Sequence, residues 1–254
     1  MAGVPPTAAD PLSPLVDLPG VADAVARARD AVTAVHNHPV NRRGWPATAA
    51  EAALRAARAS AALDGAPLEP VRADHVEDPV LAGAVRIADE RDRLLDVWRT
   101  APMQGLARLH MLAAADLVPV EDHSRVLGRP QGDAEVSGRL SLLAGFITGG
   151  TSVPAPVLVA VVHGELLGLR PFGTANGVVA RAAARLTAMS SGLDPRGLAV
   201  PEVGHLRRSP DYRSAAEGFV GGSREALAAW ILHCCAQWEA GGREGTSIAE
   251  AQAG

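Results

Sequence analysis

The chain has 254 residues, of which 48% are hydrophobic and only 3% aromatic, and its net charge is -4 at pH 7. A chain of this length can bury roughly 70–75% of its unfolded surface, so it can hold a core without disulfides or structural metals. The small negative charge argues against a general nucleic-acid binder, which usually presents a basic face. The sequence contains no lysine, which excludes a Schiff-base lysine and a Walker-type phosphate lysine.

Three features predict a cytoplasmic protein without a membrane segment. The N-terminus carries early prolines and acids instead of a basic start and an apolar run, so we expect no signal peptide. The longest apolar run, Pro156 to Leu169, is too short to span a bilayer. Cys234 and Cys235 are adjacent in a helical stretch and point in different directions, which indicates two buried thiols in a reducing compartment.

Helical periodicity dominates the chain, and the sequence shows no convincing strand alternation and no internal repeat. We predict a flexible arm over residues 1–19, a single helical domain over 20–240 and a flexible tail over 241–254. Within the domain, 20–75 carry the N-terminal helices and 76–240 the core and C-terminal helices. The predicted helices, in chain order, cover Val21 to Val35, Thr48 to Leu63, Val80 to Trp98, Leu106 to Ala115, Glu135 to Ile147, Pro156 to Leu169, Val178 to Met189 and Arg224 to Trp238.

An apolar helix followed by a loop of small residues is the most informative stretch. Residues Pro156 to Leu169 are apolar nearly all round, so this helix is predicted to lie at the centre of a bundle. It should end at Arg170, because the residue before a proline is pushed out of the helical region. The loop from Gly173 to Gly177 then opens the next helix.

This loop is a candidate anion site on physical grounds alone. The first N–H groups of a helix lack internal partners, and the helix dipole adds positive charge there. Arg170 at the loop entry and Arg181 in the following helix carry guanidinium groups that can bind phosphate in bidentate fashion. Two alternatives stay open at this point: Asn176 can be a plain N-cap, and both arginines can simply be solvated.

The loop resembles the active-site motif of the Fic (Fido) family, which reads His-Pro-Phe-x-Asp/Glu-Gly-Asn-Gly-Arg-x-x-Arg between two buried helices. The matching stretch has the same length without a gap and reads Arg170-Pro171-Phe172-Gly173-Thr174-Ala175-Asn176-Gly177-Val178-Val179-Ala180-Arg181. His163 stands two turns upstream, where the family often has a histidine. The resemblance covers roughly residues 20 to 240. It implies an all-α Fic-fold bundle with a buried central helix, an active-site loop and a following helix.

A second stretch resembles the inhibitory helix of many Fic proteins, which carries Ser-x-x-x-Glu-Gly. The chain reads Ser60-Ala61-Ala62-Leu63-Asp64-Gly65 at the corresponding place. In the family the glutamate reaches the second arginine of the motif and blocks productive ATP binding. The equivalent pair is Asp64 and Arg181. Because aspartate is one methylene shorter, we do not expect a direct contact, and a water bridge is the alternative. Asp64 and Gly65 can also be only a helix end.

The departures from the family pattern fall on its chemistry. In Fic enzymes the motif histidine is the general base for the target hydroxyl, which attacks the α-phosphate of ATP. Arg170 cannot take that role because an arginine stays protonated at pH 7, and losing a general base typically costs about 10²–10⁴ in rate. Thr174 replaces the acidic residue that binds magnesium. Ala175 replaces a glycine beside the phosphates, and Val178 replaces an arginine that contacts them.

The resemblance therefore implies a relative of protein AMP-transferases that has lost catalysis and acts by binding a nucleotide, a phosphate or a protein partner. No residue is assigned as catalytic and none as a metal ligand; ATP and Mg²⁺ are implied by the resemblance alone. The nucleotide or anion site is assigned to Arg170, Thr174, Asn176, Gly177 and Arg181, and the inhibitory-like residues are Ser60, Asp64 and Gly65. One alternative is an active nucleotidyl- or phosphoryl-transferase with a non-standard base. Another is an interaction module without a ligand.

Other candidates carry less weight in the sequence. His36 and His38 have the chemistry of metal ligands but no further ligand cluster nearby, which favours a polar loop. His110 and His233 lie in apolar helical stretches and are predicted to be core residues. His163 could replace the missing base, but its position inside the apolar helix favours the core. Residues 126–134 stand where the family has a β-hairpin flap that docks the target, and they show no clear hairpin pattern.

Overall fold

The structure is a computed structural model that describes residues 10–68 and 76–252, and in these ranges it contains twelve α-helices and no β-strand. The all-α prediction is confirmed. The helices are α1 Val21–Asn37, α2 Trp45–Leu63, α3 Pro79–Asp89, α4 Arg91–Thr100, α5 Pro102–Ala114, α6 His123–Val126, α7 Ala134–Gly145, α8 Ala155–Leu169, α9 Asn176–Ser190, α10 Pro201–Arg207, α11 Ser209–Gly221 and α12 Arg224–Ala251. In the described ranges no helix is long and apolar enough to cross a membrane.

The apolar helix α8 lies at the centre of the bundle, as its sequence predicts. Every residue from Pro156 to Gly164 is buried, and α8 packs against α9, α11, α12 and α1. The indole Nε1 of Trp230 donates to the carbonyl of Ala160 at 2.8 Å, which fixes α12 across α8. Gly164 allows this close approach, because a Cβ there would overlap Phe219 and Trp230.

Two apolar clusters hold α8 and α9 from opposite sides. The cluster beside α4 and α5 is built around Trp98, Leu106 and Leu109, and the Trp98 Nε1 donates to Thr187 on α9 at 3.1 Å. The cluster beside α1 and α12 includes Trp230 and other apolar residues of those two helices. Because α8 and α9 are fixed on both faces, the loop that joins them starts and ends on rigid supports.

The flexible tail predicted for residues 241–254 is wrong over most of its length. Helix α12 continues to Ala251 and buries Gly241, Gly242 and Gly245. A Cβ on these residues would overlap the backbone of Pro201, Ala31 and Leu198, respectively. The glycines that suggested flexibility are therefore points of close helix packing, and residues 253 and 254 lie outside the described ranges.

Replacing Gly245 with alanine is expected to lower the free energy of unfolding by about 1–3 kcal/mol, because the added methyl group would overlap the Leu198 carbonyl. Gly138 is the matched control, since it lies in helix α7 with open space around it. Alanine at 138 is expected to stabilise the fold by about 0.5–1 kcal/mol through its higher helix propensity. Urea unfolding of the two variants measures both effects. Equal stability of the two variants would contradict the packing of α12.

The predicted N-terminal arm is partly packed. Residues 1–9 lie outside the described ranges, but Leu12 and Leu18 are buried. The Asp10 carboxylate accepts hydrogen bonds from the Thr151 hydroxyl and the Ser152 N–H, both at 2.8 Å. The predicted flexibility is therefore wrong for residues 10–19, because their apolar side chains have a core to enter.

Two further differences concern the number of helices. The single helix predicted from Val80 to Trp98 is two helices, α3 and α4, that meet at Glu90. No proline or glycine marks this corner in the sequence. Helices α10 and α11 were not predicted, and α11 contributes a wall of the candidate site described below.

Candidate functional site

The loop between α8 and α9 begins where predicted, but α9 starts at Asn176 instead of Val178, and the backbone of the loop is strained. Helix α8 ends at Leu169, and Arg170 caps it in the left-handed conformation with φ 44°. Ala175, just before α9, is also left-handed with φ 57°. For residues other than glycine this conformation costs about 1–2 kcal/mol each, so the surrounding contacts must hold the loop in place.

Asn176 braces the loop. Its side-chain oxygen accepts from the N–H of Phe172 at 3.0 Å, and its amide nitrogen donates to the carbonyl of Phe172 at 2.6 Å. It is the first residue of α9 and makes no capping contact, so the N-cap alternative is wrong. Phe172 is buried and stacks on His110, as expected for an anchor in the core. The Asn176 amide is thus engaged with the loop's own backbone.

Asp64 and Arg181 form a direct ion pair, and the expectation that aspartate would be too short is wrong. The Nη2 of Arg181 lies 2.9 Å from an Asp64 carboxylate oxygen. The other carboxylate oxygen accepts from the backbone N–H of Val178 at 3.0 Å. The missing methylene is compensated by close approach, because Gly177 has no side chain and a Cβ there would overlap the Asp64 carboxylate. Asp64 therefore occupies the N-terminus of α9.

The remaining donors of Arg181 are also bound. Its Nε donates to the Ser60 hydroxyl and its Nη2 to the Ser60 carbonyl, both at 2.8 Å. Its Nη1 donates to the Tyr212 hydroxyl at 3.4 Å. Burial opposes the charge, but Tyr212 and Asp64 outweigh it and raise the pKa of Arg181. Ser60, Asp64 and Arg181 come together as the resemblance implied, whereas Gly65 ends the turn after α2 with φ 100°.

His163 lies behind Arg181 in the core. It is 3% exposed, and its Nε2 lies 2.8 Å from the Tyr212 hydroxyl. Burial, together with the charge of Arg181, holds the pKa of His163 well below its usual value. The prediction that His163 is a core residue is confirmed, and its contact with Tyr212 keeps it away from a general-base role at the loop.

An open cleft lies over the loop in two adjoining parts. One part has a volume of about 490 Å³ and is lined by the loop residues Gly173 to Gly177, with Asp64 and Leu117. The other has about 360 Å³ and is walled by α11, including Arg213 and Glu217. Arg170 lines both parts. In residues 10–68 and 76–252 no carboxylate lies within ion-pair distance of Arg170, so its charge faces the cleft uncompensated.

The donor set does not fit a magnesium ion at the loop. Thr174 supplies a hydroxyl where the family has a carboxylate, and no three His, Cys, Asp or Glu side chains in the described part of the chain are close enough to hold a metal ion. Val178 is 2% exposed and packs in the core. Its side chain is therefore directed into the core and away from the cleft, where an arginine would have to lie to bind phosphate.

The other histidines have structural contacts. His36 lies 2.7 Å from a carboxylate oxygen of the buried Asp194, and in the described part of the chain no group of three ligand side chains gathers around it. His110 is fully buried and His233 is partly buried, and the Nε2 of His233 lies 3.1 Å from His205. Sequence reasoning missed Tyr212 and His205 beside Arg181. Their helices, α10 and α11, carry no strong periodic signal that could have revealed them.

The fold matches solved structures of Fic proteins. A Fic family protein from Desulfovibrio desulfuricans G20 superposes with a TM-score of 0.63 at 15% identity, over 90% of this chain and 74% of that one. A Fic-1 fragment from C. elegans gives 0.67 at 14% identity, over 94% and 76% of the two chains. A variant of the Fic-1 fragment gives 0.66 at 16% identity, over 94% and 74%. The chain has the Fic fold. No protein-family model and no curated protein matches the sequence.

The buried histidines predict a steep loss of stability in mild acid. Burial lowers the pKa of His110 to about 4 and holds those of His163 and His205 well below 6.5. These rings are neutral in the folded state and charged in the unfolded chain below pH 6.5. The free energy of unfolding therefore has its full value above pH 6.5. It decreases as the pH falls toward 4, by about 1.4 kcal/mol per pH unit for each ring.

Urea unfolding at pH 7, 6 and 5 measures this loss. Between pH 6 and 5 we expect the three rings together to remove about 3–4 kcal/mol. The variant His110→Phe is expected to show a slope that is smaller by about 1.4 kcal/mol per pH unit, since one titrating ring is gone. A free energy of unfolding that stays constant from pH 7 to 5 would contradict the burial of neutral histidines.

Proposed function

We propose that this Fic-fold chain does not transfer AMP and that its cleft binds a nucleotide or phosphate anion when Asp64 is displaced. One observation carries the proposal: the Asp64 carboxylate binds the Val178 N–H and Arg181 together. A helix N-terminus beside a guanidinium group is the place a phosphate would take. The chain fills this place with its own carboxylate.

The loss of catalysis is supported by the side chains around the cleft. Arg170 stands where the resemblance places the general base, and a guanidinium group cannot accept a proton at pH 7. Asp64 is held in the ion pair, and Tyr212 is buried with a pKa of about 12. Thr174 gives no charge for a metal ion. The Fic fold is typical of a transferase, but the groups that would activate a hydroxyl and a phosphate are replaced.

We propose that binding, with no chemical step, is the activity of the protein. Arg170 has no ion-pair partner in the described part of the chain and lines both parts of the cleft, so it is placed to meet an incoming anion before Asp64 leaves. Displacement of Asp64 would expose the Val178 N–H at the N-terminus of α9 and would leave the Nη2 of Arg181 without its carboxylate partner. The buried free thiols Cys234 and Cys235 support a reducing compartment, and we propose the cytoplasm.

Calorimetry with ATP, AMP and inorganic phosphate tests the proposal. The variant Asp64→Ala is expected to bind at least one of these anions about tenfold more tightly than the wild type, because the competing carboxylate is gone. Glu217→Ala is the matched control, since Glu217 lines the cleft but makes no hydrogen bond or ion pair within the described ranges. It is expected to change affinity by much less.

Two outcomes would overturn the proposal in different ways. If Asp64→Ala binds none of the three anions at millimolar concentration, the anion pocket is refuted and a scaffold role remains. Intact-mass measurement after incubation with ATP and Mg²⁺ or Mn²⁺ tests the loss of catalysis. An AMP-sized mass added by the wild type, to itself or to a target, would show an active transferase with a non-standard base.

A further inference from the structure

The segment from Gly128 to Gln131 lies against the loop and is joined to it by two contacts. The N–H of Gln131 donates to the carbonyl of Pro171 at 2.6 Å, which is a direct contact with the loop. The N–H of Gly128 donates to the Nδ1 of His110 at 3.0 Å. His110 is on α5, and its ring is stacked on Phe172 with a centroid distance of 4.0 Å and an angle of 7° between the planes.

The protonation state of His110 follows from these contacts. The ring is fully buried, and burial lowers its pKa to about 4, so it is neutral at pH 7. Because Nδ1 accepts from Gly128, the proton must be on Nε2. Nε2 is buried and has no partner within the described ranges. A phenylalanine or leucine would fill this space without an unpaired Nε2–H, but neither would offer an acceptor to the Gly128 N–H, so simple packing does not account for a histidine here.

We infer that His110 is a positioning residue that couples the Gly128–Gln131 segment to the loop between α8 and α9. The ring accepts from the segment at one nitrogen and supports Phe172 through its face. Phe172 is joined in turn to Asn176 by two hydrogen bonds, and Asn176 begins α9. Displacement of the segment therefore loosens the loop at Phe172 and the start of α9, where Asp64 binds.

The segment can be moved in two ways that leave the loop sequence intact. His110→Phe keeps an aromatic ring under Phe172 but removes the acceptor for Gly128. Gly128→Ala acts from the other side: φ is +71°, and a Cβ would lie 3.1 Å from the Ala107 carbonyl oxygen and from Met111. Alanine there strains the docked position of the segment. Gly128 is at a half-buried turn, so this variant is expected to fold.

Hydrogen exchange at pH 7, followed by mass spectrometry, tests the coupling. Both variants are expected to exchange about five- to tenfold faster in peptides covering 126–134 and also in peptides covering 170–177. This is the effect expected when the hydrogen bond between Gly128 and His110 is lost. Two controls separate coupling from general destabilisation. Leu106→Ala removes buried packing on the same helix, and Gly20→Ala places alanine at a similar φ of +76° far from the loop. Neither is expected to raise exchange at 170–177 selectively.

The result that overturns the inference is faster exchange at 126–134 with unchanged exchange at 170–177 in both variants. A selective effect of Leu106→Ala or Gly20→Ala at the loop would overturn it as well. This readout needs no ligand, so it is independent of the proposed anion binding. Faster exchange in a protein that binds no anion would support the coupling and refute the proposed function.

Discussion

Replacing Arg181 with methionine is expected to lower the free energy of unfolding by about 3–5 kcal/mol, toward the lower end because the Asp64 side chain is 27% exposed. The guanidinium group connects α9 to α2 through Ser60 and Asp64, and to α11 through Tyr212. Methionine fills a similar volume but removes the guanidinium donor from these groups, and Asp64 keeps only the Val178 N–H. The loss therefore comes from unpaired polar groups in the core.

Urea unfolding compares this variant with Arg213→Met. Arg213 is exposed on the α11 wall of the cleft, and its replacement is expected to change stability by less than about 0.5 kcal/mol. Stability of the Arg181 variant within 1 kcal/mol of the wild type would mean that the buried ion pair contributes little. The joint position of α2 and α9 would then have to come from apolar packing alone.

The second large effect is expected from restoring the altered site. A variant with Arg170→His, Thr174→Asp, Ala175→Gly and Asp64→Ala regains a base, a metal ligand and an open helix N-terminus. Glycine at 175 also relieves the left-handed backbone that Ala175 adopts. We expect AMP transfer from ATP at least about 10²-fold above the wild type, since a general base typically contributes that much. Labelled ATP with a protein mixture and Mg²⁺ measures it.

The matched control keeps Arg170 and carries the other three changes. It is expected to bind ATP but to transfer no AMP, so the comparison isolates the base. Val178→Arg is left out because Val178 is 2% exposed, and a charge placed there would be buried in the core. If the restored variant folds and binds ATP but transfers nothing, the residue at 170 does not account for the proposed lack of AMP transfer.

The sequence predicted the centre of the fold well, for a physical reason. An apolar helix with no polar face can only lie in the middle, and a proline after Arg170 must end it. These two facts place the loop and its start correctly, whereas α9 begins two residues before the predicted Val178. The ends of the chain were predicted poorly because small residues occur both in flexible segments and at points of close helix packing. Gly241, Gly242 and Gly245 read as flexible, but in α12 they are the points of closest packing.

The contacts within the site could be predicted only in part. The motif positions brought Ser60, Asp64 and Arg181 together, but the direct pairing of Asp64 depends on how closely α2 approaches α9. That distance is set by Ala-rich packing across the whole length of α2. The stack of His110 on Phe172 joins residues far apart in the chain, and no local pattern marks it. Distances between elements are set by the assembled core.

The space in front of α9 also constrains how this protein can change over generations. A side chain at Gly177 and a carboxylate at Asp64 exclude each other, because they would occupy the same volume. A substitution of Gly177 by a larger residue therefore requires that the carboxylate at 64 is also removed or displaced. The two positions should vary together among relatives, although they are 113 positions apart in the chain. An ancestor with a vacant α9 N-terminus would be recognisable by a change at 64 alone.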